Sequence, residues 1–198
     1  TVTSSYGIVG SSDGVLGTVN VAGQNALWEN TSTLSIANYG QGEMTVGAGG
    51  TVTNTVGYIG SFAGSNGVVT VSGDQARWQN SGDLVVGSAG TGALNIGAGG
   101  TVTNLNTFVG SFADGDGTVV VDGDNARWQN AGALIVGAQG SGAVDINNGT
   151  VSSQSGTIGS AAGADGRVRV AGDTANWNST DGIVVGFEGS GELAIEDG

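Results

Sequence analysis

A repeat of about fifty residues constrains the fold of this chain more than any other feature. The segment GDQARWQNSGDLVVG at 73–87 returns as GDNARWQNAGALIVG at 123–137. The tryptophans recur at spacings of 50, 50 and 49 residues, at Trp28, Trp78, Trp128 and Trp177. The chain therefore divides into four repeats, which span 1–50, 51–100, 101–149 and 150–198. A fixed period of this length indicates a repeat architecture in which neighbouring units complete one core.

Each repeat contains two similar halves. Residues 58–78 and 85–102 both show an apolar residue before glycine, a Gly-rich turn, an alternating strand, a second turn and a third short strand. About 25 residues with three short strands is the size of one turn, or coil, of a parallel β-helix. Period-two alternation predicts these inward side chains: Val69, Val71, Leu84, Val86, Leu94 and Ile96. The sequence thus predicts an all-β, single-stranded parallel β-helix (a β-solenoid) of about eight coils, two per repeat.

Glycine content supports strands joined by tight turns. Glycine accounts for 41 of 198 residues and proline for none, and each glycine inside a helix would cost about 1 kcal/mol relative to alanine. Glycines that follow strand ends are expected to need positive φ, and they are Gly10, Gly60, Gly87, Gly110, Gly137, Gly159 and Gly186. Ala37 takes this place in the first repeat, which predicts a locally different turn there.

The tryptophans are predicted to form a structural row inside the β-helix. Two coils separate them, about 9.6 Å at the usual strand spacing, so Val2, Val52 and Val102 are expected to lie between them. The alternative is an outward row that stacks on carbohydrate. Two residues after the first three tryptophans stand the amides of a predicted hydrogen-bonded ladder, Asn30, Asn80 and Asn130. Ser179 replaces the fourth, so the ladder should weaken there.

No residue pattern indicates catalysis, a cofactor or a metal. Histidine, cysteine and lysine are absent, which excludes a His-based nucleophilic triad, a Cys or His zinc site and a phosphate-binding loop lysine. Asp74, Asp124 and Asp173 recur at equivalent positions, as a scaffold feature does. The acidic run at 114–124 lacks the regular nonapeptide spacing of calcium-binding β-helices. We therefore expect no catalytic residues, no cofactor and no metal ligands.

Charge limits the partners. The formal net charge is −13, from 17 acidic residues and 4 arginines, which disfavours nucleic acid and anionic lipid. No apolar run is long enough for direct membrane insertion. Arg167 and Arg169 are exceptions to the repeat, because they stand where the other repeats have uncharged residues. They are predicted either to pair with acids of a neighbouring coil, such as Glu192, or to contact a partner.

The segment GVVTVSGDQARWQNSGDLVVGSAGTGALNIGAGGTV at 67–102 resembles repeats in the passenger domains of autotransporters, the type V secreted proteins of Gram-negative bacteria. The resemblance covers all four repeats. It implies a right-handed β-helix on the extracellular side of the outer membrane, delivered through a C-terminal barrel that this sequence does not contain. It also implies an adhesive or self-associating role, without a catalytic motif to carry over.

Several functional interpretations stay open from sequence alone. The first is a non-catalytic adhesin or self-associating rod, whose partner is a host cell or matrix component, a surface glycan or another copy of the chain. The alternatives are a passive spacer or stalk and a polysaccharide-active enzyme. An ice-binding surface is disfavoured because the TVT motif returns only in every second coil. Repeat sequence reaches both ends of the chain, so we expect it to be part of a longer protein.

Overall fold

The computed structural model describes residues 1–197, which wind into a parallel β-helix of eight coils. This confirms the predicted fold class. All of the regular secondary structure in that range is strand. Gly198, the last residue of the fourth repeat, lies outside the described residues.

The strands form three faces around one core. Face I contains β1 (Val2–Ser4), β4 (Leu27–Asn30), β7 (Thr51–Asn54), β10 (Arg77–Asn80), β13 (Thr101–Asn104) and β16 (Arg127–Asn130). Face II contains β2 (Gly7–Val9), β5 (Thr33–Ile36), β8 (Val56–Ile59), β11 (Leu84–Val86), β14 (Thr107–Val109) and β17 (Ala133–Val136). Two longer strands run through both of these faces, β19 (Thr150–Ile158) and β21 (Asn176–Val185).

Face III is a separate eight-stranded sheet. Its strands are β3 (Leu16–Val21), β6 (Gln41–Val46), β9 (Asn66–Val71), β12 (Thr91–Ile96), β15 (Asp116–Asp122), β18 (Ser141–Asn147), β20 (Asp165–Ala171) and β22 (Ser190–Glu196). Every pairing between named strands is parallel and joins a strand to its equivalent in the next coil, so equivalent residues lie in columns along the rod. At the usual strand spacing of about 4.8 Å, eight coils make a rod about 38 Å long.

Alternating side-chain size explains why the repeat is two coils long rather than one. In the inward column of face I, Val2 pairs with Trp28, Trp28 with Val52, and Val52 with Trp78. In face II, Gly57 lies between two leucines, Leu34 and Leu84. A Cβ on Gly57 would stand 2.9 Å from Cζ2 of Trp78. The glycine of one coil thus makes room for the indole of the next, and valine separates successive tryptophans as expected.

Face III carries one inward glycine in every coil. These eight residues form a continuous column: Gly17, Gly42, Gly67, Gly92, Gly117, Gly142, Gly166 and Gly191. A Cβ on Gly92 would overlap the backbone nitrogen of Gly87 in the turn that precedes its own strand. The glycine column therefore allows the turn between faces II and III to fold tightly against the sheet.

The turns between faces II and III confirm the predicted positive φ at glycine and correct one expectation. The seven predicted glycines have φ between 66° and 72°. Ala37 has φ of 62°, and its amide donates to Val9 O at 2.7 Å, as the Gly87 amide donates to Ile59 O at 2.8 Å. The expectation of a different turn at Ala37 is therefore wrong: stacking on the coil below imposes the common turn on alanine.

Both end coils leave part of their core in contact with solvent. Val2 in the first coil is 61% exposed and Ile195 in the last coil is 77% exposed, although equivalent side chains in the middle coils are buried. Any measurement of association must therefore separate contacts at the ends from contacts along the sides.

Candidate interaction surface

The tryptophan row lies inside the rod. Trp78 and Trp128 are completely buried, whereas Trp28 and Trp177, in the second and last coils, are partly buried. The Trp78 indole N–H donates to Asn54 Oδ1 at 2.7 Å and the Trp128 indole N–H to Asn104 Oδ1 at 3.1 Å. The one polar group of each of these indoles is hydrogen-bonded within the core. Because both rings are completely buried, they present no face to a sugar.

The asparagine ladder has more members than the tryptophan spacing indicated. Asn30, Asn80 and Asn130 are buried, and Asn54 and Asn104 occupy the same column in the intervening coils. Asn54 donates to Asn80 at 2.6 Å, and Asn104 donates to Asn130 at 2.6 Å. The intervening members end the TVTN motifs at 51–54 and 101–104, so their signal was present but lay outside the tryptophan context.

The ladder changes at both ends of the rod. Ser4 donates to Asn30 at 2.6 Å, and the Asn30 amide nitrogen is the one buried side-chain polar atom without a partner in residues 1–197. At the other end Ser153 accepts from Trp177 at 3.1 Å. Ser179 bonds to backbone carbonyls of Gln154 and Gly182 instead of to another ladder side chain.

Arg167 and Arg169 point outward from β20 and pair with acids of the last coil. Arg167 lies opposite Glu192 in the sheet, with a 3.8 Å ion pair between them. Arg169 contacts Glu196 at 2.7 Å and donates to Asn147 at 3.0 Å. The cross-coil pairing predicted as one alternative is therefore present, and a partner contact by these residues stays a prediction.

The repeated carboxylates lie on exposed turns. Asp74, Asp124 and Asp173 are exposed and stand two coils apart, about 9.6 Å at the usual strand spacing. Within residues 1–197, acidic side chains form no group of three or more that could hold a metal ion. The carboxylates contribute the negative field of these turns and converge on no common point.

Aromatic side chains other than tryptophan concentrate at the corner between faces II and III. Tyr58 and Phe108 point outward from face II, and Tyr39, Phe62 and Phe112 stand on the turns. We call these five residues the aromatic strip. Tyr39 and Phe62 are stacked, with ring centroids 4.3 Å apart and an angle of 4° between the rings.

The turn column mixes small and large side chains, and its small members are Ser12, Ala89 and Ala161. Its members are the second residues after each left-handed turn position: Ser12, Tyr39, Phe62, Ala89, Phe112, Gln139, Ala161 and Glu188. Ala89 separates Phe62 from Phe112 by two coils, about 9.6 Å. A surface cavity of about 350 Å³ opens there, lined by Tyr58, Ser88 and the residues just named among others. This cavity, which we call the Ala89 slot, leaves one ring-sized gap in the aromatic strip.

The aromatic strip is nearly free of charge on a strongly acidic rod. The outward column of face II contains no Asp, Glu, Lys or Arg. Its members are Ile8, Ser35, Tyr58, Val85, Phe108, Ile135, Thr157 and Val184. The turn column contains one acid, Glu188, in the last coil. Contiguous exposed apolar surface of this kind marks interaction sites in soluble proteins.

Sequence reasoning missed the aromatic strip although the signal was available. Tyr58 and Phe62 recur as Phe108 and Phe112, at the 50-residue period. Arg167 and Arg169 stood out because they depart from the repeat, whereas these aromatic residues follow it. A binding surface built by repetition is found by asking which outward columns lack charge.

The outer surface of face I is different in character. Threonines alternate with long polar side chains along it, as at Thr53, Gln79, Thr103 and Gln129. This surface supplies hydroxyl and amide groups and the guanidinium groups of Arg77 and Arg127, but no aromatic ring.

No protein-family model, curated protein or solved structure matches the chain. Residues 1–197 contain no helix that is long and apolar enough to cross a membrane.

Proposed function

We propose that this chain is a non-catalytic adhesive or self-associating rod that binds its partner along its side. The observation that carries the proposal is the aromatic strip, which presents five Tyr and Phe rings on a face almost without charge. The three turn members, Tyr39, Phe62 and Phe112, are 45–55% exposed. Leaving such rings in water forgoes their burial energy, about 25 cal/mol per Å² of apolar surface.

The rod geometry favours many weak contacts over one deep pocket. Equivalent positions recur along the axis, so a partner that fits one coil pair meets similar groups on the next. Linked weak contacts combine through effective concentration. The resemblance of the repeats to autotransporter passenger domains supports a location on the outside of a Gram-negative cell, and the candidate partners are a host cell or matrix component, a surface glycan or another copy.

The test is association measured with the rod ends blocked. Val2→Glu combined with Ile195→Glu places a charge on the exposed core of each end coil and opposes stacking through either end. Sedimentation velocity of this variant, at low and moderate salt, reports lateral self-association, and surface binding to immobilised glycans and matrix proteins reports adhesion. We expect concentration-dependent association or saturable binding in at least one of these assays. A monomer that binds nothing in both would leave the passive spacer as the function.

A further inference from the structure

We propose that the partner of the aromatic strip is a second copy of this chain, packed antiparallel so that the strips interdigitate about a two-fold axis between coils 4 and 5. This inference rests on the proposed function and assigns its partner, face and register. Its basis is the position of the small residues Ala89 and Ala161 among the larger members of the turn column.

The turn column is largely complementary to its own reverse, because three of its four pairs in the antiparallel register set a small side chain against a larger one. With the two-fold axis between coils 4 and 5, Phe112 of each copy enters the Ala89 slot of the other. In the same register Tyr39 faces Ala161, and Phe62 faces Gln139. Every aromatic ring of the turn column therefore meets a non-aromatic residue. The Phe112 ring that enters the slot lies one coil, about 4.8 Å, from Phe62 and from Phe112 of the copy that forms the slot. Aromatic pairs favour centroid separations of about 4.5–7 Å.

A parallel, in-register pair lacks this fit. It would set Tyr39 against Tyr39 and Phe112 against Phe112, while leaving the Ala89 slots facing each other and empty. Parallel pairs displaced by a coil would be heterologous, and heterologous contacts do not close into a dimer. The antiparallel arrangement is isologous and closes with two copies.

The outward column of face II also pairs well in the antiparallel register. Val85 faces Phe108 and Tyr58 faces Ile135, while the small Ser35 faces Thr157. These pairs bring no charged group against another. The antiparallel register therefore agrees along both columns of the surface.

The low charge of this face limits the repulsion between two copies. Two chains with a formal charge of −13 repel each other, but the turn column and the outward column of face II together carry one carboxylate, Glu188. Glu188 of one copy still comes near Asp13 of the other at each end of the overlap. Because these acids are exposed, salt screens their repulsion over a distance of about 10 Å at 0.1 M.

The buried area predicts a weak dimer. A strip about 38 Å long and about 12 Å wide, from the strand spacing and four residues of chain, buries about 450 Å² on each copy. The total of about 900 Å² is below the 1,200 Å² of a standard interface, as in transient complexes. Association is therefore expected at high protein concentration and moderate salt.

The register can be tested by cross-linking, because the chain has no cysteine. Tyr39→Cys and Ala161→Cys are placed on separate copies that also carry Val2→Glu and Ile195→Glu. The two are mixed and treated with a short thiol-specific cross-linker. We expect the mixed pair to cross-link. Tyr39→Cys alone should not, because its two thiols would lie five coils apart, about 24 Å. Gln79→Cys on face I is the matched control and should give only background.

Two outcomes would overturn the proposal. Cross-linking of Tyr39→Cys to itself would show a parallel pair. Absence of mixed cross-links, in a chain that still sediments as a dimer or still binds a glycan through the strip, would show another register or occupant. In that case the proposed adhesive function would stand while this inference failed. A chain that neither self-associates nor binds a glycan or matrix protein would contradict both.

Discussion

Single buried side chains decide whether the polar groups inside the rod have hydrogen-bond partners, and Asn54 is the clearest case. It accepts the Trp78 indole N–H and donates to Asn80. Its replacement by alanine leaves two buried polar groups without partners, and each such group costs about 1–3 kcal/mol. We expect Asn54→Ala to lower the free energy of unfolding, measured by urea denaturation, by at least about 2 kcal/mol.

Asn54→Ser is the matched control for this effect. Ser153 occupies the same column and accepts from Trp177 at 3.1 Å, so a serine can replace the acceptor for the indole. The serine variant should retain at least about 1 kcal/mol more stability than the alanine variant. Equal losses in the two variants would show that the bond to the indole contributes little.

Ala37 is strained by the turn that the stack imposes on it. A left-handed conformation costs a non-glycine residue about 1–2 kcal/mol. Glycine removes this cost from the folded state, but it also gives the unfolded chain more conformational freedom, which offsets part of the gain in stability. We expect Ala37→Gly to raise the free energy of unfolding by about 1 kcal/mol. A lower stability in this variant would mean that the methyl group contributes more through packing than it costs through strain.

At the scale of strands and turns, the glycine column of face III sets how closely each turn approaches the sheet. Gly92 does not have positive φ, so alanine there meets only a steric obstacle: the backbone of Gly87 and Ile59. Backbone atoms in stacked coils cannot move aside, so Gly92→Ala should cost about 3 kcal/mol or more, at the upper end of overpacking effects. Loss of the strand signal in circular dichroism or a lowered melting temperature would report it.

Gly64→Ala separates this steric effect from conformational strain. A Cβ on Gly64 meets nothing within 4 Å, but its φ is 83°. The variant should lose only about 1–2 kcal/mol, the cost of the left-handed conformation. If both variants lost the same stability, the close approach at Gly92 would not be the constraint we describe.

The sequence was sufficient to predict the residue columns that follow the repeat. It was insufficient to predict those whose role depends on contacts with neighbouring coils. Periodicity predicted the eight coils, the inward side chains of the strands and the valines between the tryptophans, because stacking aligns equivalent residues. It failed at Ala37, where contacts with neighbouring coils override the residue's own preference. It also missed Asn54, whose role depends on the register between unequal coils. The aromatic strip was overlooked because a surface formed by five separated residues appears only once the turns are stacked.

For the whole molecule, the central question is whether function lies on one side of the rod. Charge and aromatic content differ between its sides: the corner of faces II and III carries the rings, and face I carries threonine, glutamine and two arginines. Screening should strengthen association through the aromatic strip between low and moderate salt, because the remaining opposed charges are exposed acids. Contact through oppositely charged groups would weaken over the same range.

Sedimentation velocity of two matched double variants, each in the background of Val2→Glu and Ile195→Glu, tests this claim most directly. Phe62→Ser with Phe112→Ser removes two rings of the aromatic strip, and Gln79→Ser with Gln129→Ser changes two exposed side chains of face I. All four residues are exposed, so both variants should fold with similar melting temperatures. We expect the phenylalanine variant to stay monomeric at concentrations where the glutamine variant associates like the parent chain. Equal association of the two variants, or none in the parent, would contradict a role for the aromatic strip in self-association.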